Sequence, residues 1–285
     1  MRYGICLPTG GECGDPRFTV DLARRAEASG WDGVLLEDYV CYQGDRATPT
    51  CNSWIALAAM ATRTERIRLG TAVTPLARRR PWNVAREAAG IDQLSGGRMI
   101  LGVGLGETRA TIGVDASLVA FGEQPDARKR GEMLDEGLEI IAGLWTGEPF
   151  SFRGRHFTVE EVTFLPRPVQ RPRIPIWVVG AWPRPKSMAR AVRFDGLLPN
   201  VFDADGKPRK ATPEDVAAIR SFVADQDQDP GTFDIVVEGE TPGDEPAALA
   251  AAGATWWLEV RWAGKASDEH LGRFRERVGQ GPPAL

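Results

Sequence analysis

Histidine is scarce in this sequence of 285 residues, which contains only His156 and His270. Metal centres and many acid–base sites are built from clustered histidines. Two histidines so far apart in the chain argue against such a cluster, so we expect no metal site and no divalent-metal hydrolase. The four cysteines include no C-x-x-C pair, which leaves no zinc or dithiol motif. We interpret them as buried or loop thiols of a reducing compartment rather than as a reactive or metal-binding group: Cys6, Cys13, Cys41 and Cys51.

Long apolar runs and an excess of positive charge are also missing. No run approaches the roughly 18 residues that cross a bilayer, and IALAAMA and PAALAAAGA are predicted to be buried helix faces. The start, MRYGICLP, has no apolar signal region and reads as a strand. The net charge of -4 gives no electrostatic footprint for nucleic acid. We therefore expect a cytoplasmic protein that contacts neither membrane nor nucleic acid.

What the sequence does contain is a regular alternation of strand-like and helix-like segments. The clearest example spans residues 66–106, RIRLGTAVTPLARRRPWNVAREAAGIDQLSGGRMILGVGLG. Pro81 suits the first position of a helix, and Val84, Ala88 and Ile91 recur at helical spacing. Two buried strands flanking one helix predict a βαβ unit with parallel strands.

Along the whole chain the pattern gives eight strands and eight helices. That count predicts a closed (β/α)8 TIM barrel, as one domain over residues 1–285, rather than a doubly wound sheet. PFSFRGRHFTV and VTFLP, with a turn at RGR, predict a small hairpin insertion between the fourth helix and the fifth strand. Trp256 and Trp257 fall on the eighth strand, so one ring should face the barrel interior and the other the helices. Function should lie in the loops that follow the strands.

Three segments carry a resemblance to a known family. LGTAVTPLARRRP, LSGGRMILGVGLG and residues 128–180 resemble the bacterial-luciferase-like oxidoreductases, most clearly over residues 1–200. These are TIM barrels that use FMN or the deazaflavin F420. The resemblance implies an enzyme acting on a small organic substrate. It also implies a homodimer formed through the helices next to the second and third strands.

The second strand ends in Glu37, Asp38 and Tyr39, and two carboxylates with a phenol are unusual for packing alone. The resemblance implies that the acidic residue here approaches the cofactor ring. F420 relatives often follow it with a histidine, where this sequence has Tyr39. Asp38 and Tyr39 are therefore catalytic candidates, and Asp38 is also a cofactor contact. The alternative is that Asp38 caps a helix or pairs with an arginine.

Three further strand ends supply candidate residues. At the third, the resemblance implies a cis non-prolyl peptide behind the cofactor ring, matching Ala72-Val73. The fourth ends in glycines that let a backbone approach a ligand, followed by Glu107 as a candidate acid or base. At the fifth, relatives bind the cofactor phosphate with backbone amides, and a following helix start favours an anion. The implied cofactor contacts are Thr71, Ala72, Val73, Gly104, Gly106, Gly180, Ala181 and Trp182.

Two reactions stay open at this point. Reduced FMN, supplied by a separate flavin reductase, would react with O2 in a dry pocket and needs few acid–base groups. F420 moves a hydride, and its substrate usually needs a proton donor or acceptor nearby, as Asp38 and Glu107 could be. Because no histidine follows Asp38, we favour an FMN monooxygenase, with F420-dependent hydride transfer as the alternative. Asp38, Tyr39 and Glu107 argue against a third reading, a non-catalytic flavin-binding protein.

Overall fold

The computed structural model describes residues 1–42, 47–106, 120–226, 231–260 and 268–283. Its strands are β1 (Arg2–Leu7), β2 (Gly33–Leu36), β3 (Arg68–Thr71), β4 (Thr74–Pro75), β5 (Met99–Gly104), β6 (Pro149–Arg153), β7 (Thr158–Thr163), β8 (Ile176–Trp182), β9 (Gly196–Phe202), β10 (Pro208–Arg209), β11 (Asp234–Gly239) and β12 (Trp256–Glu259). Its helices are α1 (Pro16–Ala28), α2 (Ser53–Ala61), α3 (Pro81–Leu94), α4 (Ala127–Leu144), α5 (Pro185–Ala191), α6 (Pro213–Ala224), α7 (Pro246–Ala252) and α8 (Asp268–Gly279).

Eight of the strands close into a parallel barrel. The order around it is β1, β2, β3, β5, β8, β9, β11 and β12, and β12 pairs back with β1 through Arg2 and Trp256. Each barrel strand is followed by one of the eight described helices, which confirms the predicted (β/α)8 fold. Because all eight strands point the same way, their C-terminal ends meet at one end of the barrel, which we call the mouth.

Four of the helices, α1, α2, α4 and α6, begin where a side chain accepts hydrogen bonds from their unpaired N–H groups. Asp15 accepts from the amide of Arg17 at the start of α1, and Asn52 accepts from two amides at the start of α2. Thr212 and Asp215 form a reciprocal capping box on α6. Within the residues described, no helix combines the length and apolar character that a membrane crossing requires.

Two apolar cores result, one between the strands and the helices and one inside the barrel. The inner core is closed by Trp177 and Trp256, whose rings meet edge to face with centroids 5.2 Å apart. Trp257 packs instead in the outer core, and its indole N–H donates to Glu259 at 3.1 Å. The predicted split of Trp256 and Trp257 between the two faces is confirmed.

The predicted hairpin insertion is present as β6 and β7, which pair antiparallel between α4 and β8. It is fastened to α4 by Glu136, whose carboxylate accepts the amides of Arg155, His156 and Phe157 at 2.7–3.0 Å. The ring of His156 contacts Glu132, also on α4, at 3.0 Å. This histidine therefore lies on the outer face of the barrel.

Barrel closure at β3 and β5 depends on glycine, and a pair of variants tests this. A Cβ at Gly102 would lie 1.9 Å from the carbonyl oxygen of Thr71, whereas a Cβ at Gly90, inside α3, would meet nothing within 4 Å. We expect Gly102→Ala to destabilise the fold by roughly 3 kcal/mol and Gly90→Ala to stabilise it by up to about 1 kcal/mol. Urea unfolding followed by circular dichroism measures both. Equal stability of the two variants would contradict the close approach.

Candidate active site

Asp38 lies just beyond β2 at the mouth, where two arginine side chains contact its carboxylate. Its carboxylate is 3.2 Å from Arg79 and 3.5 Å from Arg78, and it accepts a hydrogen bond from the indole of Trp54 at 3.2 Å. The side chain is only 6% exposed. Pairing with arginine, the structural alternative, is therefore present. The roles of Asp38 in binding cofactor and in catalysis stay predictions.

Tyr39, the next residue, is half-buried and meets the ring of Tyr42 edge to face, with centroids 5.5 Å apart. Its phenol stands in the segment where F420 relatives often carry a histidine. Glu107, the other predicted acid or base, lies outside the described residues.

The peptide between Ala72 and Val73 is cis, as the resemblance implies. The thiol of Cys6 donates to the carbonyl of Ala72 at 3.7 Å, and the hydroxyl of Thr71 donates to the carbonyl of Gly102 at 2.7 Å. Ala72 and Val73 belong to the layer that faces the barrel interior. The turn after β3 therefore presents small apolar groups to the mouth.

Gly104 lies opposite this turn and completes a cradle. A Cβ on Gly104 would sit 3.1 Å from a methyl group of Val179 and 3.2 Å from one of Val73. Gly106 has a φ of 73°, a conformation that glycine adopts without strain. The intervening carbonyl, of Leu105, accepts from the buried guanidinium of Arg130 on α4. The end of β5 is thus fixed, with the bare backbone of Gly104 lying closely between Val73 and Val179.

The end of β8 carries the remaining predicted cofactor contacts, and each of them already has neighbours within the fold. Gly180 turns away from the mouth, since a Cβ there would meet Leu197 and Met188. The amide of Ala181 already donates to the hydroxyl of Ser187 at 2.9 Å. Trp182 packs edge to face on Phe222 of α6. Binding of a cofactor phosphate by these backbone amides stays a prediction, and for Ala181 it would require Ser187 to move.

Two carboxyl groups face the barrel interior at the mouth. Glu37 follows the inward-facing Leu35 by two residues, and Glu238 on β11 follows the inward-facing Val236 by two. Burial, reinforced by the charge of Glu238, raises the pKa of Glu37 to about 8. Glu238 keeps access to solvent through the mouth, yet it is surrounded by protein atoms, and this desolvation raises its pKa to about 7. Both groups therefore titrate near neutral pH.

Several buried polar atoms near the mouth make no hydrogen bond in the described structure. They are Thr9 Oγ1 after β1, Glu37 Oε2 after β2 and Thr74 Oγ1 after β3. Buried polar groups are normally satisfied, so atoms of this kind point to a ligand with hydrogen-bonding edges. Together with the apolar turn at Ala72-Val73 and the bare backbone of Gly104, they suit a flat heterocycle such as a flavin or deazaflavin ring.

Three of the four cysteines are poorly suited to reaction. Cys6, Cys13 and Cys51 are buried, and burial raises the pKa of each, that of Cys51 to about 11. A thiol that stays protonated is a poor nucleophile and a poor metal ligand. These three agree with the interpretation of the cysteines as buried thiols, and Cys41 is partly exposed.

Comparison with known proteins places the chain in a family. A profile described as luciferase-like monooxygenase matches residues 1–281. The chain belongs to this family, whose members are oxidoreductases.

Curated relatives refine that placement. The chain is 32% identical over 233 residues to the F420-dependent glucose-6-phosphate dehydrogenase of Intrasporangium calvum, covering 76% of this chain and 67% of the relative. It is 34% identical over 172 residues to the enzyme of the same name from Amycolatopsis mediterranei, covering 59% and 49%. The chain thus spans about half to two thirds of the length of these relatives.

Solved structures show the same fold at low sequence identity. An F420-dependent secondary alcohol dehydrogenase in complex with an F420–acetone adduct superposes with a TM-score of 0.74 and 18% identity, covering 98% of both chains. A monooxygenase from Streptomyces bottropensis superposes with a TM-score of 0.71 and 20% identity, also covering 98% of both.

The preference for an FMN monooxygenase is wrong. The curated relatives are F420-dependent dehydrogenases, and FMN as the main cofactor finds no support among them. The preference rested on the missing histidine after Asp38. That inference fails because other groups can move a proton, and two carboxyl groups with raised pKa values face the mouth.

Several residues of the site were not predicted as site residues, among them Glu37, Thr74, Glu238, Arg130 and Thr9. Glu238 and Arg130 come from segments far along the chain, and Thr9 lies in a glycine-rich loop that gives no specific signal. For Glu238 a signal did exist. In the strand FDIVVEG, Asp234, Val236 and Glu238 share one face, which places an acid at the inner C-terminal end.

The raised pKa of Glu37 has a consequence for stability. The folded protein keeps this proton up to about pH 8, whereas the unfolded chain releases it near its ordinary pKa of 4.5. The contribution of Glu37 to stability is therefore full below pH 4.5 and is lost as the pH rises towards 8. We expect Glu37→Gln to remove this loss and to be more stable than the wild type at about pH 9, by a free energy on the order of 4 kcal/mol.

Urea unfolding of both proteins at about pH 5 and about pH 9 measures the difference. Glu148→Gln, at an exposed position, is the control and should follow the wild type at both values. A Glu37→Gln variant with the same pH dependence as the wild type would show that Glu37 is ionised throughout.

Proposed function

We propose that this protein is an F420-dependent oxidoreductase that transfers a hydride between the deazaflavin and a small alcohol or carbonyl substrate. The observation that carries the proposal is the set of curated relatives, which are named F420-dependent dehydrogenases and match up to 86% of the chain. The superposition on an F420-dependent alcohol dehydrogenase supports it.

The residues at the mouth that would hold the cofactor ring are the Ala72-Val73 turn, Gly104 and the unpaired hydroxyl groups of Thr9 and Thr74. When bound, F420 supplies a two-electron hydride acceptor or donor. Val73, Val179 and Leu198 give the inner wall an apolar lining, which would limit the access of water to the ring and so protect the hydride during transfer.

Tyr39 argues against assigning the relatives' substrate to this chain. Its phenol stands where F420 relatives often place a histidine base, and the chain spans only part of each relative's length. We therefore propose a small alcohol or carbonyl compound rather than glucose 6-phosphate.

Assembly and location stay predictions. A homodimer through α2 and α3 is our proposal, supported by the exposed apolar side chains of Ile55 on α2 and Leu94 on α3.

Paired titrations test the cofactor assignment. We expect F420 to bind and to quench tryptophan fluorescence, and we expect FMN to bind at least 10-fold more weakly, a difference of about 1.4 kcal/mol. A protein that binds reduced FMN but not F420 would refute the proposal.

A substitution in the cradle tests where the ring binds. Gly104→Val would place methyl groups between Val73 and Val179, so we expect F420 affinity to fall at least 10-fold, about 1.4 kcal/mol. Gly90→Ala is the control, because that position is remote from the mouth and open. Unchanged affinity in a Gly104→Val protein that still folds, as judged by circular dichroism, would place the ring elsewhere.

A further inference from the structure

Hydride transfer leaves a proton to be moved, and the described mouth contains no histidine to move it. When an alcohol is oxidised, its carbon gives up a hydride, with both electrons of the C–H bond, to F420, and its hydroxyl group gives up a proton to a base. In the reverse reaction an acid returns that proton. His156 lies on the outer face of the barrel, contacting Glu132, so among the described residues the carboxyl groups at the mouth are the candidates.

We propose that Glu37 is the acid–base residue of this reaction and that Glu238 is its proton relay to solvent. The inference rests on the proposed function for its hydride chemistry. The placement of the two carboxyl groups is independent of that function.

Glu37 is a buried carboxyl group with one oxygen that makes no hydrogen bond in the protein. Its side chain is only 7% exposed, and its Oε2 makes no hydrogen bond. Its backbone is fixed on both sides, since its N–H donates to Leu7 at 3.1 Å and its carbonyl accepts from Ser53 at 2.6 Å. A rigidly held, unpaired carboxyl oxygen facing a barrel mouth can accept a hydrogen bond from a substrate hydroxyl, or donate one to a carbonyl when protonated.

A group so buried needs a route by which its proton reaches water. Glu238 is placed to supply one, because strand alternation turns both carboxyl groups inward at the same mouth, Glu37 after β2 and Glu238 on β11. Glu238 is accessible to solvent there, whereas Glu37 is not. In the proposed relay, the proton taken from substrate leaves the buried carboxyl and reaches water by way of the accessible one.

The thiols and the phenol around Glu37 stay neutral near pH 7. Cys6 on β1, Cys13 in the turn after β1, and Tyr42 beyond β2 all interact with Glu37, and burial raises the pKa of each. The carboxylate of Asp38, next in the chain, is paired with Arg78 and Arg79. The pKa values of Glu37 and Glu238, in contrast, lie near neutrality.

The pH dependence has opposite signs in the two directions of the reaction. Oxidation needs the carboxylate form of Glu37, so its rate should rise with pH up to about pH 8, where the pKa of Glu37 lies. Reduction needs the acid form, so its rate should fall over the same range. Glu238→Gln removes the charge that raises the pKa of Glu37, so the pH–rate profiles of oxidation and of reduction should both shift to lower pH.

The experiment combines infrared spectroscopy of the protein without cofactor with kinetics on F420 and short secondary alcohols, including 2-propanol. At neutral pH the wild type should show the C=O stretch of protonated carboxyl groups, and Glu37→Gln and Glu238→Gln should each remove a separate part of it. Glu37→Gln should lower the turnover number at least 100-fold in both directions, with F420 affinity unchanged. Glu148→Gln should match the wild type throughout.

The experiment distinguishes failure of the Glu37 proposal, failure of the Glu238 relay and failure of the proposed function. Fully ionised carboxyl groups at about pH 6 in the wild type would overturn the proposal. So would a Glu37→Gln variant that turns over with the same pH–rate profiles as the wild type. If the pH–rate profiles of Glu238→Gln are the same as those of the wild type, Glu238 is not part of the relay. A wild type that binds no F420, or turns over none of the alcohols or their ketones, would refute the proposed function and with it the catalytic role of Glu37.

Discussion

A strand in a closed barrel shows only every second side chain to the interior, and the chemistry of this protein depends on that constraint. On β2 the alternation takes Leu35 inward, Leu36 outward and Glu37 inward. On β11 it takes Val236 inward and Val237 outward, which turns Glu238 inward. Two acids that are two hundred residues apart in the chain thus face the same mouth. A shift of either strand by one residue would bury them against the helices instead.

Much of the fold was predictable because its determinants are local. Several helices begin at capping residues such as Asn52 and Thr212, and the barrel strands are short apolar runs between turns. Eight repeats of that pattern leave few arrangements other than a parallel barrel. The hairpin was predictable for the same reason, since its turn at RGR lies between two extended segments.

The site was only partly predictable, because its geometry depends on contacts across the barrel. The cis peptide at Ala72-Val73 followed from a family resemblance, and the sequence alone gives no reason for it. The pairing of Asp38 with Arg78 and Arg79 requires β2 and the turn after β3 to meet at the mouth. The engagement of the Ala181 amide by Ser187 depends on how α5 returns towards its strand. Counting residue types could not reveal a proton-transferring group whose pKa is set by burial.

The tryptophan pair inside the barrel restricts where small molecules can enter it. Trp177 and Trp256 are almost completely buried, and with Ile100 and Leu198 they fill the interior below the mouth. Within the described part of the barrel this packing leaves no passage to the opposite end, so a cofactor and a substrate that bind at the mouth would share one entrance. Of two molecules sharing one entrance, the one that binds deeper would enter first and leave last.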